Sequence, residues 1–379
     1  MTQTRGFGAP FRYVQGPDAL KALPRLARPH GRKLLTIIDP FLHDRLKRAL
    51  ETYLARTEVT SVFHKFGGEC TLAEIASLTK LARQTLSEVI CGLGGGKTLD
   101  TAKLVAKALK KPLIIAPSSA ATDAPVSAMG VIYHPDGRHL RCELLDHAPE
   151  LVLVDSTLIS QAPIRLFVSG LGDALSTQFE AQANALSNTP NYVGPGYRPT
   201  LAGLAVAEAC QRVIMKKGLK ALKALKAQKL TQDLEDVIEA NILLSGLGFE
   251  NTGCAGAHAL HTGIHEIEGS NRLYHGEVVA FGLLFQLALE KAGPKKLSPI
   301  LAFMAKAGLP LCFSDLGLRP SPKNLALISA RILDGNSGIE AEPFPVTKPL
   351  IASALNQANR LGQAYRNDHP HLPPALCRP

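Results

Sequence analysis

The chain has 379 residues, 46% of them hydrophobic and 20% charged, which suits an ordinary globular protein of about two domains at roughly 100–200 residues each. Its net charge of +10 does not point to a nucleic-acid partner: the densest basic run, Lys216, Lys217, Lys220, Lys223, Lys226 and Lys229, alternates with Leu and Ala as one solvated helix face, with few aromatics for base stacking. The apolar runs are too short for the ~20 residues of a membrane span, Arg5, Arg12 and Asp18 argue against a secretory signal, and seven scattered cysteines with no CxxC pair fit a reducing cytoplasm rather than a disulfide framework.

In chain order, residues 33–39 (KLLTIID) read as a strand ending in Asp39, followed by a helix over 43–55. Residues 59–66 read as a strand closed by Gly67 and Gly68, and 72–86 as a helix. A strand over 88–93 runs into Gly94, Gly95 and Gly96, with a helix over 97–110 behind it. Residues 112–116 and 151–155 are again strand-like. This alternation predicts a parallel sheet covered by helices on both faces. After about residue 163 the pattern is helical, over 166–185, 199–216, 230–247, 254–267 and 277–292, with a Pro/Gly-rich loop at 188–199. The tail from Asp368 is expected to be irregular or disordered. The division predicted is an α/β domain over 1–163 and a helical domain over 164–379, with no internal repeat.

The segment Gly92-Leu93-Gly94-Gly95-Gly96-Lys97-Thr98 fits neither familiar phosphate motif. A P-loop would need glycine where Cys91 stands, and the dinucleotide fingerprint would need it at Lys97. The physics is independent of either motif. Glycines let backbone N–H groups approach an anion, and the helix behind them turns its positive end toward it. A pyrophosphate is the guest expected, with a tight structural turn as the alternative. A carboxylate at Asp39 could accept a ribose 2′-hydroxyl and would repel a 2′-phosphate, which favours NAD over NADP. The loop Ala116–Pro125 offers small residues and hydroxyls, with Asp123 able to hold a substrate hydroxyl or to serve only a local turn.

His258, His261 and His265 share one helix face, and His275 follows in Tyr274-His275-Gly276-Glu277. Asp173 is a lone carboxylate in an apolar helix. Two imidazoles and a carboxylate suit a catalytic Zn²⁺ with an open position, and equally a non-haem Fe²⁺. Spacing does not say which histidines bind.

Five ordered blocks carry more. They are GLGGGKTLDTAK (92–103), TDAPVSA (122–128), GDALSTQFEA (172–181), EANILLSGLGFE (239–250) and HALHTGIHEIEGSNRLYHGEVVAF (258–281). Together they resemble the glycerol dehydrogenase family of the iron-containing alcohol dehydrogenase superfamily. The resemblance implies an α/β N-terminal nucleotide-binding domain with a parallel sheet and an all-α C-terminal helical domain, the dehydroquinate synthase-like, group III alcohol dehydrogenase architecture. It implies NAD at Gly94, Gly95, Gly96, Lys97 and Asp100 and along Ser118, Ser119, Ala121 and Thr122. Asp39 would lie at the adenosine ribose, and Ser127, Met129 and Tyr133 at the nicotinamide end. Zn²⁺, with Fe²⁺ as the alternative, would be held by Asp173, His258 and His275. Asp123 would hold the substrate hydroxyl, and His261 would lie behind the metal or relay a proton. The activity implied is NAD-dependent oxidation of glycerol or a related vicinal diol to dihydroxyacetone, by a homo-oligomer, commonly an octamer in this family.

Two features depart from the family. The loop Ser118-Ser119-Ala120-Ala121 is smaller than usual, and the tail is longer and proline-rich, with no expected part in catalysis. A glycerol 1-phosphate dehydrogenase, a dehydroquinate synthase-like lyase and a silent NAD-binding protein are the alternatives. The lyase should need several Arg and Lys residues near its substrate. Arg272 is the nearest to the ligands, and the intact Asp/His/His set argues against the silent binder.

Overall fold

The computed structural model describes residues 3–335 and 337–378. The chain forms two compact units: Gly8–Ala162, and a second from Pro163 onward that takes in the N-terminal stretch up to Phe7.

The first unit is built on eight strands, β1 (Tyr13–Gly16), β2 (Lys33–Ile38), β3 (Thr60–Lys65), β4 (Val89–Gly94), β5 (Leu113–Pro117), β6 (Met129–Tyr133), β7 (His139–Leu144) and β8 (Leu151–Asp155). Six make a sheet in the order β1-β8-β5-β4-β2-β3, parallel at every pairing. The helices are α1 (Leu23–Ala27), α2 (His43–Leu54), α3 (Leu72–Gln84), α4 (Gly96–Leu109) and α5 (Ser156–Ile159). Central strands covered on both faces must be apolar throughout, and β4, β5 and β8 are buried at every residue. Gly92 lets α4 lie directly on β4, since a Cβ there would stand 2.6 Å from the Cβ of Ala102.

Three strands escaped the sequence reading. β1 is only four half-buried residues. β6 and β7 form a separate antiparallel pair, and β7 (HLRCEL) is polar and mostly exposed, so it carries no apolar run to signal it.

The second unit is helical: α6 (Ile164–Ser187), α7 (Leu201–Lys226), α8 (Gln232–Glu239), α9 (Ser245–Thr252), α10 (Gly256–Ile264), α11 (His275–Leu289), α12 (Pro294–Ala307), α13 (Pro322–Ile332) and α14 (Lys348–Asp368). Its centre is α11, buried from Gly276 to Leu289, as an all-round apolar sequence demands. Residues 230–247 are not one helix as expected. Thr231 caps α8 by accepting the Leu234 N–H, and a π-helical segment, Ala240–Leu244, then separates α8 from α9. The helices beyond residue 292, unread in the sequence, do carry start signals: proline stands in the first turn of α12, α13 and α14.

The tail beyond Asp368 is irregular, as expected, but it is packed against the helices. Ala375 and Cys377 are buried at 4% and 2% exposure, and Leu376 donates its N–H to Gly308 O at 2.9 Å. Among the described residues no helix is long and apolar enough to cross a membrane.

Candidate metal and cofactor sites

Sheet register assembles the first cluster. Ile38 pairs with Leu93 and Gly94 with Pro117, so β2, β4 and β5 end level. Asp39 N–H then donates to Leu93 O, and Ser118 N–H to Gly94 O, each at 2.9 Å. This carboxyl edge is where ligands bind in open parallel sheets. Gly94 must be glycine, because a Cβ would stand 2.8 Å from the Asp39 Cβ and 2.9 Å from Thr98 Oγ1. A Cβ at Gly95, the cap residue of α4, would meet nothing within 4 Å, so space lies open beside that helix start.

The other expected cofactor residues fall into two sets. Ser119, Ala121, Thr122 and Met129 are half-buried, and Thr122 Oγ1 accepts the Ala124 N–H at 3.4 Å. Lys97 Nζ pairs with Glu69 at 2.5 Å and lies 4.8 Å from the centre of the Tyr133 ring. Asp100 is buried, 3.5 Å from Lys103 Nζ, and burial pushes its carboxyl up. Lys103 is itself fully buried. It donates to Ala124 O and Met129 O at 2.6 Å and to Ser127 Oγ at 3.3 Å. Asp100 and Lys103 thus anchor the segment that carries Asp123, Ser127 and Met129, and Asp123 is buried with it. Neither Glu69 nor Lys103 was read from the sequence. Lys103 had a signal, lying one turn after Asp100 on a helix otherwise buried.

The second cluster lies wholly within the helical unit. Asp173 sits in the middle of α6 with its side chain 1% exposed, and Oδ1 stands 3.3 Å from His275 Nε2 and 3.5 Å from His258 Nε2. The two Nε2 atoms are 3.2 Å apart. Neither Asp173 oxygen has a hydrogen-bond partner among the described residues, an expensive state for a buried carboxylate unless a cation serves it. Burial alone would raise the Asp173 pKa. His275 and His258 outweigh it and hold the carboxyl well below its usual range, so Asp173 stands as an anion, the form that binds a cation. Tetrahedral ligands about 2.0–2.1 Å from a metal stand about 3.3 Å from one another. The three donors therefore fit a single tetrahedral ion.

Close backbone approach brings these donors together. A Cβ on Gly172 would lie 2.4 Å from Gly276 O, and one on Gly276 would lie 1.9 Å from Ser169 O. With glycine at both places α6 and α11 touch, and Asp173 meets His275.

Each histidine is also held from behind. Glu180 lies two turns after Asp173 on α6. Its Oε1 accepts the N–H groups of Ala255 and His258 at 2.8 and 2.9 Å, and its Oε2 takes the His258 Nδ1 proton at 2.6 Å. That fixes the tautomer leaving Nε2 free toward Asp173. Phe249 stacks on the same ring. His275 Nδ1 faces His261 Nε2 at 3.0 Å, and His261 faces the exposed His265 at 2.9 Å. The structure thus brings together Asp173, His258 and His275 and sets His261 and His265 behind them. Glu180 was missed, although its i+7 spacing from Asp173 was visible within GDALSTQFEA.

The parallel sheet with a glycine turn at its carboxyl edge offers a place for an anionic ligand, and the helical unit offers a buried Asp/His/His set to a metal ion. Residues 10–156 match the family described as iron-containing alcohol dehydrogenase. Glycerol dehydrogenase of Thermotoga maritima is 38% identical over 94% of this chain and 98% of its own. The crystal structure of a probable glycerol dehydrogenase from Sinorhizobium meliloti 1021 superposes with a TM-score of 0.90 at 38% identity, covering 95% of this chain and 100% of that one. Glycerol dehydrogenase from Schizosaccharomyces pombe gives 0.93 at 32% identity, covering 100% and 97%. The chain belongs to the glycerol dehydrogenase family of the iron-containing alcohol dehydrogenases.

Proposed function

We propose that the protein oxidises glycerol, or a related vicinal diol, to dihydroxyacetone while reducing NAD⁺. The observation that carries this reading is the unpaired, buried Asp173 carboxylate facing two imidazoles, in a chain similar over nearly its whole length to glycerol dehydrogenases. The α/β unit is proposed to bind NAD at Gly94–Lys97, along Ser118, Ser119, Ala121 and Thr122, and at Asp39. Asp39 would take the adenosine ribose, and Ser127, Met129 and Tyr133 the nicotinamide end. Asp100 would act at one remove through Lys103. The helical unit is proposed to hold Zn²⁺, with Fe²⁺ as the alternative, on Asp173, His258 and His275, whose donors stand 3.2–3.5 Å apart.

When bound, the cation would lower the pKa of a substrate hydroxyl and the nicotinamide would take the hydride from the carbon bearing it. The chain supplies position and fixes the imidazole tautomers. Asp123 orients a hydroxyl, and Glu180 keeps His258 in the binding tautomer. His261 Nε2 would accept the Nδ1–H of His275, which keeps the Nε2 of His275 turned toward Asp173. The resemblance further supports a cytoplasmic homo-oligomer, for which light scattering of the purified chain is the check.

The test is NADH absorbance with glycerol, 1,2-propanediol and glycerol phosphate, before and after chelation and with Zn²⁺ or Fe²⁺ added back. Glycerol should give net NADH, lost on chelation and restored by Zn²⁺. Asp173→Asn should lose both metal and turnover yet still bind NAD. No net NADH from the metal-loaded protein with any diol would remove the reading, and activity only with glycerol phosphate would replace it with a glycerol phosphate dehydrogenase.

A further inference from the structure

His275 opens α11, and the chain reaches it through a stretch with little regular structure. Between His265 and Tyr274 there is only the short 3₁₀ turn Ser270–Arg272. Glu266, Glu268 and Gly269 are exposed, and Gly269 has a φ of +85°. A ligand delivered by such a segment is ordered only if something else orders the segment.

Ile267, Ser270 and Leu273 are buried beneath it, and a chain of hydrogen bonds ending in the C-terminal tail ties its last turn to the rest of the unit. Glu277 Oε2 accepts the Tyr274 N–H at 2.8 Å, closing the first turn of α11. Arg165 grips the same carboxylate, with Nε 2.6 Å from Oε1 and Nη2 2.8 Å from Oε2. Its Nη2 also donates to Arg272 O at 3.1 Å, and its guanidinium lies 4.6 Å from the centre of the Tyr274 ring. The Arg272 guanidinium reaches the other way, donating to Leu316 O and, at 2.7 Å, to Cys377 O. The tail is pinned in turn. Arg366 donates to Pro373 O at 2.7 Å, Leu376 N–H donates to Gly308 O, and the Cys377 thiol donates to Asp315 O at 3.4 Å. Burial first, and then the charge of Glu277, push that thiol up to about 12.

We infer that residues 373–378 hold the metal ligand His275 in place, with Arg272 as the positioning residue that joins them to it. The inference rests on the metal reading above and adds to it a role for the C-terminal segment of the chain. Arg272 donates to two backbone carbonyls from separate stretches of chain, so both are fixed against the turn three residues before His275. Removing either the guanidinium or its tail carbonyl frees that turn. The cost falls on ion retention, because a loosened ligand releases the ion faster.

The experiment uses the full chain, Arg272→Met, a chain ending at Leu372, and the two changes combined. Each is loaded with Zn²⁺, and release of the ion to a chromogenic chelator is timed. The metal-free proteins are compared by circular dichroism and thermal midpoint, and NAD affinity is measured alongside. Arg272→Met and the shortened chain should each release zinc about tenfold faster, by analogy with the loss of groups that orient a ligand. The combination should be no faster than Arg272→Met alone, since that change already removes the bond to Cys377 O. NAD affinity should stay near that of the parent in each, and so should the metal-free midpoint of Arg272→Met, which separates positioning from general loosening of the fold. Zinc release equal to the parent's in folded Arg272→Met would overturn the inference, and so would strict additivity of the two changes. If the shortened chain does not fold, Arg272→Met decides alone. A parent chain that takes up no zinc or iron would fail before any variant is compared, and would overturn the metal reading itself.

Discussion

At the scale of single residues, the site turns on groups that do not touch the ion. Glu180 spends both oxygens on His258 and the backbone around it, so its charge sets the imidazole tautomer and strengthens the ring as a donor. Glu180→Gln keeps the shape and can still accept the two N–H groups, but it loses the charge. It should weaken metal binding by about 10–100-fold, with NAD affinity unchanged; equilibrium competition against a chelator gives the number, and parental metal affinity would reduce Glu180 to a structural acceptor. The residue pattern showed part of this in advance. Histidine spacing left several choices, and the family blocks selected Asp173, His258 and His275 as the set, which the geometry brings within 3.2–3.5 Å. Glu180 was hidden because a carboxylate on an apolar helix face carries no label saying whether it faces an ion, an imidazole or backbone. The same ambiguity covered Lys103, whose buried ammonium looks in sequence like any other lysine of a helix.

At the scale of elements, the decisive contact is between α6 and α11. It is made by two glycines, each next to a ligand. Gly276→Ala puts a methyl group 1.9 Å from Ser169 O, and both partners at this contact are backbone, which cannot turn aside. The helices must separate, carrying His275 away from Asp173. The variant should lose metal affinity and at least about 1–3 kcal/mol of stability, the range for overpacked cores. Thermal melts with and without Zn²⁺ test it, and full zinc-induced stabilisation in the variant would show that the helices need not touch. Helix periodicity identified α6 and α11 from the sequence but not their crossing, because glycine lowers a helical signal without saying what approaches it. Elements lacking a long apolar run were missed for a related reason. β7 pairs only with β6 and shows a polar face outward, so its stability comes from a partner that local sequence does not name. The π-helical segment between α8 and α9 leaves the helical spacing nearly intact, so the reading ran straight through it.

At the scale of the whole molecule, alternating apolar runs were enough to identify the parallel sheet, and their loss after residue 163 to identify the helical remainder. The packing of the last hundred residues was not legible, because it depends on burying unusual groups as well as apolar ones. Glu342 shows the consequence. It is 5% exposed; its Oε1 accepts the Gly256 N–H at 3.0 Å, and its Oε2 has no partner among the described residues. Burial first, and then the charge of Glu290, push its pKa up to about 8 from 4.5. The folded protein therefore holds this proton more tightly than the unfolded chain does. Between about pH 4.5 and pH 8 the unfolded state binds fewer protons, so stability falls as pH rises, and above pH 8 the loss is complete. Glu342→Gln keeps the acceptor for Gly256 and turns an amide toward the neighbouring carboxylates, with no proton to lose. The variant should match the parent near pH 5 and exceed it above pH 8 by a few kcal/mol at most, the order set by the shift. Urea midpoints at the two pH values measure the difference. A gap of the same size at both would mean that packing, and not ionisation, governs this position.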